Sequence, residues 1–164
     1  MTASKKKIVI VGVSGLLGRS LFNIIGKKKN ILGTYFKNKP NLKIKKLLKC
    51  NLENLNSCLV ITKNCKNLYM CGGPVFSKNG KITEEEFFFK NSKIFLNLFI
   101  AAIKNKVNTI TWVSSAKVYK TSRGKLSENS TKNNIFGFNI SSSYQFIEKV
   151  SDFLNKFKII KIYY

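Results

Sequence analysis

The stretch that decides the fold is Lys7-Ile8-Val9-Ile10-Val11-Gly12-Val13-Ser14-Gly15-Leu16-Leu17-Gly18-Arg19. Its residues 8–11 are all β-branched and predict a buried strand. Three glycines follow with the spacing G-x-x-G-x-x-G, and an apolar stripe with helical spacing begins at Leu16. A strand, a tight glycine turn and a helix start are the setting that a phosphate-binding turn requires.

Each glycine of this turn has a separate physical task. Gly12 can adopt backbone angles that other residues avoid. Gly15 has no side chain, so a pyrophosphate can approach the main chain, and Gly18 lets the helix pack closely on the strand. The N–H groups of the helix N-terminus, and the Ser14 hydroxyl, would donate to the anion. We therefore predict a dinucleotide site; the alternative is an ordinary strand–turn–helix unit with incidental glycines.

Length and charge limit the other function classes. The chain has 164 residues, enough for one domain with a sizeable core. Its formal net charge of +23 would suit nucleic acid. The lysines, however, are spread along the whole chain and arginine occurs only at Arg19 and Arg123, a bias that an AT-rich genome would produce. A nucleic-acid partner is therefore not expected.

The cysteines do not indicate a metal site. Cys50, Cys58, Cys65 and Cys71 form no C-x-x-C pair, and the chain has no histidine, so no zinc site is expected. Free thiols in a reducing cytosol are the simpler interpretation. No apolar run is long enough for a membrane span, and the N-terminus does not resemble a signal peptide. The sequence therefore predicts a cytoplasmic protein that does not associate with membranes.

Strands alternate with helices along the chain. This pattern predicts an α/β fold, a doubly wound parallel sheet (Rossmann fold) with helices on both faces and strand order 3-2-1-4-5-6. The two last helices are expected at about Glu84–Asn105 and Tyr144–Phe157. The expected strands after the first are Asn30–Phe36, Ile44–Leu48, Asn67–Cys71, Thr109–Val113 and Ile159–Tyr164.

Several motifs, in this order, resemble the extended short-chain dehydrogenase/reductase family, the NAD-dependent epimerases and dehydratases of nucleotide sugars. The specific matches are the glycine turn and Val113-Ser114-Ser115-Ala116-Lys117-Val118-Tyr119, which is similar to the signature after strand five. The supporting matches are Asn51-Leu52, where the family usually has Asp-Leu beside the adenine, Cys71-Gly72-Gly73, where it has a small-residue turn after strand four, Asn91, where an asparagine supports its active-site helix, and Tyr144, where its Tyr-x-x-x-Lys pair begins. The resemblance implies that Gly12, Ser14, Gly15, Leu16, Leu17, Gly18, Lys37, Asn51, Leu52, Cys71 and Gly72 contact the cofactor.

The resemblance also implies a catalytic set of Ser115, Tyr144 and Lys149. In the family the tyrosine is the general acid/base, and a lysine four residues later lowers its pKa. Here position 148 is Glu148, and Lys149 comes one residue late. Residue i+5 lies about 140° around a helix. We therefore expect Glu148 to face Tyr144 and raise its pKa, and we expect catalysis to be impaired.

The end of strand two bears on the choice of cofactor. NAD enzymes usually place Asp or Glu there for the ribose hydroxyls. This chain has Thr34-Tyr35-Phe36-Lys37-Asn38-Lys39, with two lysines and no carboxylate. The segment favours the 2′-phosphate of NADP, with NAD as the alternative.

The sixth predicted strand is the last element, whereas the family builds its substrate domain mostly after that strand. We therefore expect 1–164 to be a single NAD(P)-binding Rossmann domain without the C-terminal substrate domain. The outer backbone groups of the last strand should be unpaired, favouring self-association or a complementing chain. Two functions follow: an NAD(P)-dependent enzyme acting on a nucleotide sugar, or a non-catalytic dinucleotide-binding or protein-interaction module.

Overall fold

The computed structural model describes residues 6–26, 30–42, 46–76, 82–119, 127, 129–132 and 137–164. The expected start of the third strand at Ile44 lies outside these residues. So does most of the segment between Tyr119 and Asn139.

Six parallel strands form one sheet, namely β1 (Lys7–Val11), β2 (Ile31–Tyr35), β3 (Lys46–Lys49), β4 (Cys65–Met70), β5 (Thr109–Trp112) and β6 (Lys161–Tyr163). Their order in the sheet is β3-β2-β1-β4-β5-β6, which confirms the predicted Rossmann topology. A helix lies between successive strands along the chain, except between β2 and β3, where the described residues contain none, and a short 3₁₀ turn follows β5 at Ala116–Val118. The helices are α1 (Leu16–Ile25), α2 (Leu55–Thr62), α3 (Glu84–Lys104) and α4 (Ile140–Lys156).

The sheet separates two apolar clusters of buried side chains. The larger cluster packs α2, α3 and α4 on one face and includes Leu68, Leu98, Ile110 and Trp112. The smaller cluster contains Ile10 and packs α1 on the opposite face. β1 lies at the centre between β2 and β4, so the glycine turn that follows it opens at the middle of the sheet edge.

Helix α4 begins one turn earlier than the apolar pattern indicates. Its N-cap is Asn139, whose side chain accepts from the Ser142 N–H while the Ser142 hydroxyl accepts from the Asn139 N–H. Such reciprocal capping fixes a helix start. Tyr144 is therefore in the second turn of α4, not at its first residue as predicted, because polar capping residues rather than apolar spacing set the boundary.

Strand β6 is shorter than predicted, and its edge is partly covered. The Asn155 side chain of α4 accepts from the Ile162 N–H at 2.7 Å and donates to the Ile162 carbonyl at 2.8 Å. The expectation that the outer backbone groups of β6 are unpaired is therefore wrong at Ile162. Ile160 and Ile162 are buried, while Tyr163 and Tyr164 are about half exposed.

Candidate functional site

The glycine turn after β1 has the geometry that close approach requires. Gly12 has φ +81°, and a Cβ there would lie 2.6 Å from the Gly72 Cα. The turns after β1 and β4 are therefore in direct backbone contact, which only a residue without a side chain permits. A Cβ on Gly18 would collide with the Gly12 carbonyl, so Gly18 allows α1 to pack on the turn.

The N-terminus of α1 faces this turn without a side-chain cap. Gly15 is the N-cap in extended conformation, and the first turn of α1 contains no acidic residue. A Cβ on Gly15 would meet only the Gly12 carbonyl oxygen, at 3.5 Å, which is an ordinary contact. The space in front of Gly15 is thus open, and the helix N–H groups there suit a negatively charged group.

A cleft of about 420 Å³ lies along the carboxyl ends of β1 to β4. We call it the cofactor cleft. It includes six of the predicted cofactor residues, namely Gly12, Ser14, Lys37, Asn51, Leu52 and Gly72. The remaining lining residues are not among the predicted cofactor contacts: Val11, Thr34, Tyr35, Phe36, Cys50, Glu53, Gly73, Pro74, Val75, Ile82, Lys90 and Ile94.

Five predicted cofactor residues do not line this cleft. Gly15, Leu16, Leu17 and Gly18 belong to the turn and the first turn of α1, and Leu16 is 87% exposed. Cys71 packs against the smaller apolar cluster, and burial raises the pKa of its thiol to about 11. Its thiol is therefore protonated near neutral pH.

The turn between β3 and α2 forms one wall of the cleft and is held by several hydrogen bonds. The Asn51 side chain accepts from the Glu53 N–H at 3.1 Å, and the Asn97 side chain of α3 donates to the Leu52 carbonyl at 3.0 Å. Asn54 caps α2 by accepting from the Ser57 N–H. From this turn Glu53 reaches Lys90 of α3, with 3.5 Å between Oε1 and Nζ.

The segment after β5 holds a polar network that the sequence did not predict. The Ser114 hydroxyl donates to Glu148 Oε1 at 2.5 Å, and Lys132 Nζ lies 2.6 Å from Glu148 Oε2. Glu148 is 5% exposed, and its hydrogen bond raises the pKa of Lys132. A buried carboxylate needs such partners to offset its desolvation. Ser115 accepts from the Lys117 N–H at 3.3 Å, at the start of the 3₁₀ turn.

Tyr144 packs among apolar rings. Its ring is stacked on Trp112, with centroids 6.4 Å apart and planes 9° apart, and lies 6.2 Å from the Phe87 ring. Burial raises the pKa of Tyr144. The expectation that Glu148 faces Tyr144 and raises its pKa is corrected, since the contacts of Glu148 are to Ser114 and Lys132 and burial is the cause.

The predicted catalytic residues are therefore not assembled in the described cleft. Ser115, Tyr144 and Lys149 are absent from its described lining, and Lys149 is exposed on α4. Asn91 of α3, by contrast, donates to the Ser143 hydroxyl of α4 at 2.9 Å, so it supports α4, as its position in the sequence predicted.

Within the described ranges, no three His, Cys, Asp or Glu side chains are grouped to hold a metal ion. No helix among the residues described above is long and apolar enough to cross a membrane.

Solved structures with the same fold include several sugar-nucleotide and sugar-acid enzymes. Uronate dehydrogenase from Agrobacterium tumefaciens, as a tyrosine-to-alanine mutant complexed with NAD, is 19% identical with a TM-score of 0.75, covering 94% of this chain and 58% of that one. UDP-glucose 4-epimerase from Brucella ovis, in complex with NAD, is 10% identical with a TM-score of 0.81, covering 96% and 50%. UDP-N-acetylglucosamine 4-epimerase from Bacillus cereus is 16% identical with a TM-score of 0.73, covering 96% and 51%.

This chain spans between 50% and 58% of the length of these three proteins. At identities between 10% and 19%, the likeness shows the shared fold alone. A search of curated proteins found no match. The model of the NAD dependent epimerase/dehydratase family matches residues 8–147, from the first strand into α4. This match covers most of the chain, including the glycine turn and the segment after β5. The chain belongs to the NAD-dependent epimerase/dehydratase family.

Proposed function

We propose that this chain binds a dinucleotide, NADP or NAD, across the cofactor cleft and the adjoining N-terminus of α1, and that residues 1–164 form a single NAD(P)-binding domain. The observation that carries the proposal is the geometry at Gly15. The N-terminus of α1 there has no side-chain cap and no acidic residue, and the space in front of it is open. A pyrophosphate fits such a helix end, and Ser14 adds a hydroxyl beside it.

NADP is the cofactor that we propose as preferred. Lys37 lies two residues after the end of β2, is exposed and lines the cleft. The residues at the end of β2 include no carboxylate for the ribose hydroxyls, whereas Lys37 would attract a 2′-phosphate. Titration calorimetry with NAD and NADP tests this preference directly, and equal or reversed affinities would contradict it.

The first candidate activity is that of the family, a reaction on a nucleotide sugar with Ser115, Tyr144 and Lys149 as catalytic residues. The family match supports it, and any nucleotide-sugar pocket would then come from a further segment or a complementing chain. In such an enzyme the bound cofactor would supply hydride transfer, and Tyr144 would have to move a proton. Its raised pKa makes that transfer unfavourable near neutral pH.

The second candidate is a non-catalytic dinucleotide-binding or protein-interaction module. The packing of Tyr144 against Trp112 and Phe87, and the engagement of Glu148 by Lys132, favour it. For such a module we propose self-association, or docking of a complementing chain, at the β6 edge outside Ile162. All four cysteines are free thiols, which supports a cytoplasmic location.

Turnover measurements separate the two candidates. The purified chain would be incubated with NADP or NAD and UDP-glucose, as a representative nucleotide sugar, while absorbance of the reduced cofactor is followed and the sugar nucleotide is analysed by NMR, because an epimerase or dehydratase returns the hydride to the sugar and gives no net absorbance change. We expect the wild type and Tyr144→Phe to give the same trace, indistinguishable from a protein-free sample. Turnover that Tyr144→Phe abolishes would instead establish the enzyme, because that variant removes only the phenol hydroxyl.

A further inference from the structure

The cofactor cleft contains a carboxylate that the end of β2 lacks. Among the described residues that line it, charge is carried only by Lys37, Glu53 and Lys90. Lys37 follows β2, and Glu53 follows β3, the strand next to it. A hydrogen bond of 2.8 Å from the Cys50 N–H to the Tyr35 carbonyl connects the segment after β3 to the end of β2. Glu53 therefore lies on the side of the cleft that is next to the end of β2.

The backbone of Glu53 is fixed, while its side chain can exchange partners. Its N–H is held by the Asn51 side chain, and the preceding Leu52 carbonyl by Asn97. The ion pair with Lys90 is 3.5 Å long, and the side chains of Glu53 and Lys90 are 33% and 44% exposed, respectively. Ion pairs of this kind are weak, because water and salt screen them. A ligand with stronger charge can thus displace either partner.

The two dinucleotides interact with this pair in opposite ways. A free ribose 2′-hydroxyl can donate to the carboxylate of Glu53, as it does to the acidic residue of other NAD sites. A 2′-phosphate carries a charge of about −1.5 to −2, is repelled by Glu53 and is attracted by Lys90. Lys37 attracts the phosphate as well, so Glu53 opposes the effect of Lys37.

We propose that Glu53 limits the preference of the cleft for NADP over NAD, and that Lys90 leaves its ion pair with Glu53 and binds the 2′-phosphate when NADP binds. This inference rests on the proposed function of the cleft. It assigns opposite roles to two residues that form one ion pair. Replacing Glu53 should strengthen the binding of NADP relative to that of NAD. Replacing Lys90 should weaken the binding of NADP and leave the binding of NAD nearly unchanged.

The test is calorimetric titration of NAD and NADP into the full chain and four variants. Glu53→Gln should raise the ratio of NADP to NAD affinity about tenfold, a size expected for removing one nearby charge. Lys90→Met should lower that ratio several-fold. Glu85→Gln and Lys93→Met make the same charge changes at exposed positions of α3 that do not line the cleft, and they should leave the ratio unchanged.

The outcomes distinguish this inference from the function on which it rests. If Glu53→Gln changes the ratio no more than Glu85→Gln does, the inference is overturned while dinucleotide binding stands. If the wild type binds neither cofactor, the proposed function fails and the inference fails with it. Thermal melts of each variant, compared with its matched control, identify any loss of binding that comes from unfolding.

Discussion

Asn155 makes with Ile162 both of the hydrogen bonds that a neighbouring strand would make. Its carboxamide accepts from the Ile162 N–H at 2.7 Å and donates to the Ile162 carbonyl at 2.8 Å. Both polar backbone groups of Ile162 therefore point away from β5 and are used by α4. A further strand could pair with the middle of β6 only by displacing this side chain, so Asn155 protects the sheet edge.

We expect Asn155→Ala to expose this edge and increase self-association. The loss of two hydrogen bonds at a partly buried site should also lower the free energy of unfolding by about 1–3 kcal/mol. Sedimentation velocity at low micromolar concentration compares the variant with the wild type. Asn56→Ala, at an exposed position of α2, is the matched control. Ile160→Lys would be a poor probe, because Ile160 is buried and its replacement would disturb the core.

If the wild type and a folded Asn155→Ala protein are both monomeric, loss of the Asn155 side chain does not cause pairing through β6, and the prediction is wrong. Association of the wild type at the same level as the variant would show instead that Asn155 does not block the edge.

The sheet order could be predicted because it depends on local patterns. The β-branched run at 8–11, the glycine spacing and the alternation of strands with helices are all visible within short windows. The glycines also restrict the turn strongly, since Gly12 and Gly18 have no room for a side chain. The start of α4 was missed because Asn139 and Ser142 fix it by capping, whereas the apolar stripe begins later.

The partners of polar side chains could not be predicted in the same way. Lys132 reaches Glu148 from a polar segment without periodicity, and Glu53 reaches Lys90 from a turn between two other elements. Such contacts depend on how loops lie over the helices, for which a single sequence carries no repeating signal. The helical spacing gave the position of Glu148 relative to Tyr144, but not the competing contacts that determine where the carboxylate points.

Gly15→Val should abolish dinucleotide binding without unfolding the protein. Gly15 has an extended backbone, φ −81° and ψ 166°, which valine readily adopts, and its Cβ would make only an ordinary contact. The valine side chain would fill the space proposed for the pyrophosphate. We expect a stability loss of at most about 1 kcal/mol and no calorimetric signal with NADP or NAD.

Gly18→Val is the contrasting variant for this experiment. A Cβ there collides with the Gly12 backbone, so we expect a large fall in melting temperature. Normal cofactor binding by a folded Gly15→Val protein would refute the assignment of the glycine turn.

Lys132→Met should destabilise the protein, because it removes the cation beside the buried Glu148 carboxylate and leaves the Ser114 hydroxyl bonded to it. Loss of a partner of a buried charged group costs about 2–3 kcal/mol. Urea unfolding measures the effect, and Lys149→Met, one residue from Glu148 and exposed, is the control. The double variant Lys132→Met/Glu148→Gln should recover part of the loss. Equal effects of the Lys132 and Lys149 changes would mean that the ion pair contributes no stability.

The buried thiols should make the protein less stable at alkaline pH. Burial raises the pKa of Cys58 from 9.0 to about 12, with a smaller contribution from Cys50. The thiol therefore loses its proton first in the unfolded chain, so the free energy of unfolding falls as pH rises from about 9 towards 12. At about pH 10 the loss from this one group is about 1 kcal/mol.

Cys58→Ala isolates this contribution. The variant removes a thiol that is completely buried, so its stability at pH 8 should be lower than that of the wild type. Its stability should nevertheless decline less steeply between about pH 8 and about pH 11, as measured by urea unfolding at each pH under reducing conditions. Parallel pH profiles of the two proteins would mean that the Cys58 thiol has the same pKa in the folded and unfolded states.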